Sequence, residues 1–268
     1  MSDVKKEKIK YPIAAWVLVG LTAANIMIYW NVLGKDDVHV YCEDKLQIQQ
    51  IFGVLHFYQY IRIDNMGSKA GRITKIAGFV RSKERTDETE FKKKITAQGY
   101  YFNSQEGYFP LIELTIPPRG FFNSTVDFFK PPDRFTADSI NILQSTLVNE
   151  TEKYNDNPNK NFIVLHASKK TSSLITSFIN KRIQDFQPGE YEYIIQMTKD
   201  DEKTPFFTKC YSFILYESSI AQIDESILDQ EKLNRSFNAN YIRPIVGVYL
   251  TEIQTQDIVT SLKNELMH

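Results

Sequence analysis

Cysteine is nearly missing from this chain, with only Cys42 and Cys210 in 268 residues. That count excludes a disulfide framework and a four-thiolate metal site. It leaves one candidate bridge, Cys42 to Cys210, for a domain facing an oxidising compartment. Net charge is missing as well: 32 basic side chains stand against 33 acidic ones. A balance near −1 supplies no electrostatic drive toward a polyanion, so no nucleic-acid partner is expected.

Catalytic signatures are equally scarce. There is no Gly-x-Ser-x-Gly, no β-lactamase-type set, no phosphate-cradling glycine loop and no dinucleotide fingerprint, so neither a serine hydrolase nor a cofactor is expected. The four histidines, His39, His56, His166 and His268, never fall at the i, i+4 spacing of a helical zinc site. His39 and Cys42 are three apart, but a pair without further ligands is read as a surface imidazole and an incidental thiol. His56 and His166 are read as half-buried rings bonded to a neighbour. Asn155, Asn157 and Asn159 alternate like a calcium loop, yet Lys160 stands where that loop needs glycine and His166 where it needs glutamate, so no metal site is assigned. Glu106 and Glu113 are the acids nearest to aromatic runs; they are read as ordinary positions rather than a catalytic pair.

What is present belongs to a folded protein: 42% hydrophobic residues, 24% charged, fifteen tyrosines and eighteen phenylalanines. Tyr11 to Gly34 carries no charge and has the length of one membrane span, with Tyr11 and Trp16 near one end and Tyr29 and Trp30 near the other. The sequence therefore predicts a transmembrane helix over 11–34 in contact with the bilayer. Lys5, Lys6, Lys8 and Lys10 before it, against Lys35 and Lys45 after it, predict a cytoplasmic N-terminus and an extracytoplasmic domain. A secretory signal cleaved after Thr22-Ala23-Ala24 is the rival reading.

Beyond residue 35 the pattern is mainly β. Gln47 to Asp64 reads as a strand whose partner, after the Asn65-Met66-Gly67 turn, is Arg72 to Val80. Residues 81–94, with Lys92, Lys93 and Lys94, are read as a solvated mixed-charge loop rather than a docking patch for anions. Ile112, Leu114 and Ile116 alternate as a half-buried strand that ends at Pro117-Pro118-Arg119-Gly120. A hairpin runs from Gln187 to Tyr216, with Tyr191, Tyr193, Ile195 and Met197 on one strand and Tyr211, Phe213 and Leu215 on the other. Thr171 to Phe186 is read as an amphipathic helix through Leu174, Phe178 and Ile183 or as the start of a strand. Asp224 to Leu233 and Thr255 to Leu266 are predicted helices, and Asn149 to Asn161 an exposed insertion. Sequons stand at Asn123, Asn149 and Asn234.

The Pro188-Gly189-x-Tyr191 stretch resembles the tyrosine corner of immunoglobulin-type sandwiches, although Tyr193 stands where that family has cysteine. The resemblance implies an immunoglobulin-like β-sandwich with helical C-terminal additions. The predicted organisation is a basic tail over 1–10, the helix over 11–34, a β-sandwich over 35–218 and a helix-strand-helix extension over 219–268. Pro244 puts Tyr241 to Leu250 at a sheet edge, with Tyr241, Val246, Val248 and Tyr249 as the candidate contact residues. The function expected is a non-catalytic, membrane-tethered module that binds or assembles with a protein partner. An envelope hydrolase using converging carboxylates, or a cytoplasm-facing interaction domain on a reversed anchor, is the alternative.

Overall fold

The computed structural model describes residues 13–83, 92–101, 108–155, 167–199, 204–230 and 245–253. Its strands are β1 (Val38–Ile51), β2 (Val54–Asn65), β3 (Gly71–Ser82), β4 (Lys92–Tyr101), β5 (Tyr108–Pro110), β6 (Leu114–Ile116), β7 (Phe121–Phe129), β8 (Gly189–Lys199), β9 (Phe207–Leu215), β10 (Val246–Tyr249) and β11 (Thr251–Glu252). The helices are α1 (Ile13–Leu33), α2 (Arg134–Asn155), α3 (Lys169–Ile183) and α4 (Glu217–Gln230). The strands form one antiparallel sheet in the order β10-β1-β2-β7-β4-β3-β8-β9-β11, with β5 beside β4 and β6 beside β3 off that path. Val246 to Tyr249 pair with β1 and, after Leu250, Thr251 and Glu252 pair with β9. One stretch of chain thus joins both ends of the sheet, giving a nearly closed barrel.

The alternation seen in the sequence decides what fills it. Tyr191, Tyr193, Ile195 and Met197 of β8 face the core with Tyr211, Phe213 and Leu215 of β9, as the predicted hairpin requires. The resemblance to a sandwich implied two packed sheets, whereas here a single sheet curls onto itself. The corner itself does form: the Tyr191 hydroxyl donates to the Gln187 carbonyl at 2.6 Å and accepts from the Gln187 N–H at 3.1 Å. Replacing Tyr191 with phenylalanine is expected to cost about 1–2 kcal/mol, because a part-buried carbonyl and N–H lose their hydroxyl partner. Urea unfolding checks this, and a cost near zero would make the corner idle.

The strand order corrects a second expectation. β2 does not return through β3; it pairs with β1 and β7, while β3 pairs with β4 and β8. The true hairpin is β1–β2, turned inside the stretch that reads as one strand, because Phe52 and Gly53 both adopt positive φ (47° and 75°) and reverse the chain in two residues.

The barrel has two unlike ends. At one, β7 runs into α2, α3 runs into β8 and β9 runs into α4. These helices lay Leu143, Leu147, Ile175, Ile179, Ile183 and Ile223 into the same core as the strands. Of the two readings left open for this stretch, helix or strand start, α3 is the helix, and its buried face is Thr171, Ile175, Ile179 and Ile183, with Leu174 exposed. Residues 149–155, expected in an insertion, belong to α2. At the other end, the β2–β3 connection crosses between the chain leading into β1 and the β6–β7 corner. Gly67 permits that crossing, since a Cβ there would collide with the Lys35 carbonyl oxygen.

The predicted membrane span is corrected: among the described residues no helix is long and apolar enough to cross a membrane. Helix α1 forms over Ile13–Leu33, and its side chains at 16–28 are exposed and largely apolar. Gly20, Thr22 and Asn25 interrupt that apolar surface. The single-pass anchor and the extracytoplasmic placement derived from it fall together. The predicted helix over 255–266 lies outside the described residues.

Candidate functional site

At the helix-capped end a cleft of about 700 Å³ opens between the β1–β2 turn, the start of β4, the β7–α2 link and the last turns of α3. Local chemistry fixes each wall. Gln50 Oε1 accepts from the Gly53 N–H at 2.9 Å and pins the turn. A side chain at Gly53 would be strained by its positive φ and would meet Arg182 Cδ at 2.9 Å. Pro131 and Pro132 follow β7, and Asp133 then caps α2: its carboxylate accepts from the Thr136 N–H at 2.8 Å and from the Thr136 hydroxyl at 3.1 Å. These bonds hold the Asp133 carboxyl below the usual range.

Arg182 ties the walls together. Its Nε donates to the Gly53 carbonyl at 3.3 Å, its Nη1 to the Thr136 hydroxyl at 2.9 Å, and its guanidinium lies 5.6 Å from the centre of the Phe178 ring. Lys93 enters from β4. Its register opposite Val80 sets it on the face that carries the buried Val80 and Ile95, so it looks inward where its neighbour Lys94 looks out. Burial, and the positive charges of Arg182 and Lys130, push the Lys93 ammonium down to about 8, with Asp185 opposing them. Lys130 and Lys181 complete the rim. Among the described lining residues there are thus four cations and one acid, and that acid is already engaged at the α2 cap. Such an arrangement can attract and hold an anion, while Val54, Leu55, Phe135 and Phe178 offer apolar surface beside it.

A second polar cluster lies on the outer face of β2 and β7. His56 Nδ1 is 3.1 Å from both carboxylate oxygens of the buried Asp127, which places the ring proton on Nδ1. Burial and then Asp127 push the Tyr108 hydroxyl up. The imidazole lies against Phe129, with ring centres 4.3 Å apart. This is the half-buried, bonded histidine that the sequence predicts.

The remaining sequence candidates are dispersed. Cys42 and Cys210 are free thiols. Cys42 packs against the interior cluster beside Tyr211, whereas Cys210, one residue from Tyr211 on β9, packs with Phe79 and Ile194 on the other face. Strand alternation thus separates the two thiols, and burial pushes them up to about 12 and about 11. His39 and Cys42 alternate in the same way on β1, which keeps them from sharing a ligand; no group able to hold a metal occurs among the described residues. Glu113 is engaged with Arg72 at 2.7 and 2.8 Å, and Glu106 and His166 lie outside the described residues. Val246 and Val248, read as edge contacts, are core residues of the closing strand, 2% and 5% exposed. Tyr249 is exposed, while Tyr241 and Pro244 lie outside the described residues.

Three of the four cations, Lys130, Lys181 and Arg182, escape the sequence reading. The signal for the fourth is the lysine triplet at 92–94: entering a strand, it must turn at least one lysine inward. No protein-family model matches the chain, and no curated protein matches it either.

Proposed function

We propose that the barrel is a non-catalytic binding module and that the cleft at its helix-capped end takes the anionic group of a ligand or partner. The observation carrying this reading is the convergence of Lys93, Lys130, Lys181 and Arg182, from separate elements, on one concave surface where Asp133 is the only acid among the described lining residues. Four cations close together repel one another, and an arrangement that costs stability in the empty molecule is repaid when an anion enters. Phe135 and Phe178 favour an anion that carries an apolar group. A carboxylate or phosphate on a small molecule, or an acidic group on a protein partner, offers the same chemistry.

Phenyl phosphate tests that chemistry directly. Calorimetric titration of the full chain is expected to show binding that weakens as salt is raised and falls at least about tenfold in a Lys130→Gln/Lys181→Gln variant. Both lysines sit at the rim, so circular dichroism should be unchanged. Equal affinity in the variant would remove the basis of the reading.

A further inference from the structure

We propose that the outer face of β2, β7, β4 and β5 is a docking surface for a proline-rich peptide segment in the polyproline II conformation. Cross-strand register sets Tyr60, Thr125, Tyr101 and Tyr108 in one row over these four strands. Their chain neighbours Ile61, Val126 and Tyr100 pack into the core, so strand alternation turns the row outward. Tyr60, Tyr101 and Tyr108 are 40%, 37% and 43% exposed, which puts three large rings side by side at the surface. The anion-binding cleft lies at the end of the barrel and shares no residue with this row.

Period, charge and order all fit such a segment. Neighbouring strands lie about 4.8 Å apart, so Tyr60 and Tyr101, two strands apart, are separated by about 9.5 Å at the backbone. One turn of polyproline II spans three residues at about 3.1 Å each, or about 9.3 Å. A segment laid across the strands can therefore set prolines at i and i+3 on these two rings, with the smaller Thr125 leaving room between them. Along β2 and β7 the charged neighbours of the row are already paired: Arg62 Nε donates to Asp64 at 2.9 Å, and His56 Nδ1 lies 3.1 Å from Asp127. Compensated charge suits a neutral ligand. The rings are also held in place, which lowers the ordering cost of binding. Tyr101 lies 5.2 Å from Tyr108 and 6.0 Å from Tyr58, centre to centre. Tyr108 in turn lies over Gly99, where a Cβ would collide with its ring.

Calorimetric titration of the full chain with decaproline, beside a Gly-Ser peptide of equal length, tests the surface. Decaproline is expected to bind saturably and the control not at all, with little dependence on salt because no charge is read. Tyr60→Ala should lower the affinity at least about tenfold while circular dichroism stays unchanged. Gly99→Ala should weaken binding too, by displacing Tyr108, whereas Lys130→Gln/Lys181→Gln should leave it as it is. If decaproline does not bind, or binds Tyr60→Ala as tightly as wild type, the assignment is overturned. If the lysine variant loses decaproline, the peptide sits in the cleft and the row is overturned. If cellohexaose binds in a Tyr60-dependent way and decaproline does not, the face takes sugar rings and the peptide is overturned.

Discussion

Replacing Asn65 with leucine is expected to cost about 3–5 kcal/mol, a large part of the ~5–15 kcal/mol that holds a typical domain together. Asn65 has no exposed surface. Its Oδ1 accepts from the Asp37 N–H at 3.2 Å and the Gly67 N–H at 3.0 Å. Its Nδ2 lies within bonding distance of the carbonyls of Lys69 (2.7 Å), Ile116 (3.2 Å) and Pro117 (3.2 Å). One amide thereby joins the start of β1, the β2–β3 crossing and the β6–β7 corner. Leucine keeps its branched shape, is bulkier and satisfies none of these groups, and a buried group left unpaired costs its full desolvation. Asn65→Asp sharpens the test. It keeps an acceptor for the two N–H groups but sets a carboxylate against carbonyl oxygens, so its pKa in the fold should rise above the ordinary ~3.9. A raised acid pKa makes the penalty full above that folded value and eases it as pH falls through it. Urea unfolding at pH 7 and at about pH 4, each relative to wild type, should therefore show a smaller deficit at the lower pH. A cost under about 1 kcal/mol for either variant would show that the crossing holds without this amide.

Lys93→Met is expected to do the opposite, raising stability while removing binding. Lys93 is half-buried among cations, and its folded pKa of about 8 lies below the free value of 10.5. Between those values the unfolded chain holds a proton that the folded chain has given up, so Lys93 makes the fold gain stability as pH rises through the window. Below about pH 8 the penalty is fully present. Removing the ammonium should then stabilise the protein by about 1–2 kcal/mol at pH 7, after allowance for the partial exposure of the site. The advantage should shrink toward pH 10.5. The same variant should lose at least about tenfold in affinity for phenyl phosphate, since one of four cations is gone. Denaturant midpoints across pH 7–10.5, with the titration at pH 7, read both effects. A destabilised variant would mean that the Lys93 charge is welcome where it sits.

The β8–β9 hairpin, its inward face and the Tyr191 corner were legible because period-two alternation and a Pro-Gly turn are local signals. The β1–β2 hairpin was not, since Phe52-Gly53 sits in an apolar run without the usual turn residues. Helix α2 was hidden among polar residues, although Pro131-Pro132-Asp133 before Thr136 is a helix start in plain view. The strand at 246–249 does end the sheet order, pairing with β1 alone, but Val246 and Val248 turn into the core instead of outward as contacts. Proline at 244 argues about its own hydrogen bond and not about the four residues that follow it.

Composition and alternation by themselves determined a folded, mainly β protein, the faces of its clearest strands, and the absence of four-thiolate, glycine-loop and helical zinc motifs. Those properties belong to single residues or to neighbours a few positions apart. Which strand lies beside which, the joining of the sheet's ends through 246–252, the separation of Cys42 from Cys210 and the meeting of Lys93, Lys130, Lys181 and Arg182 were decided only by tertiary structure. Lys93 and Arg182 stand 89 positions apart in the sequence, and no pattern of short period can bring them together. The barrel does so by bringing the start of β4 and the ends of β7 and α3 to the same mouth.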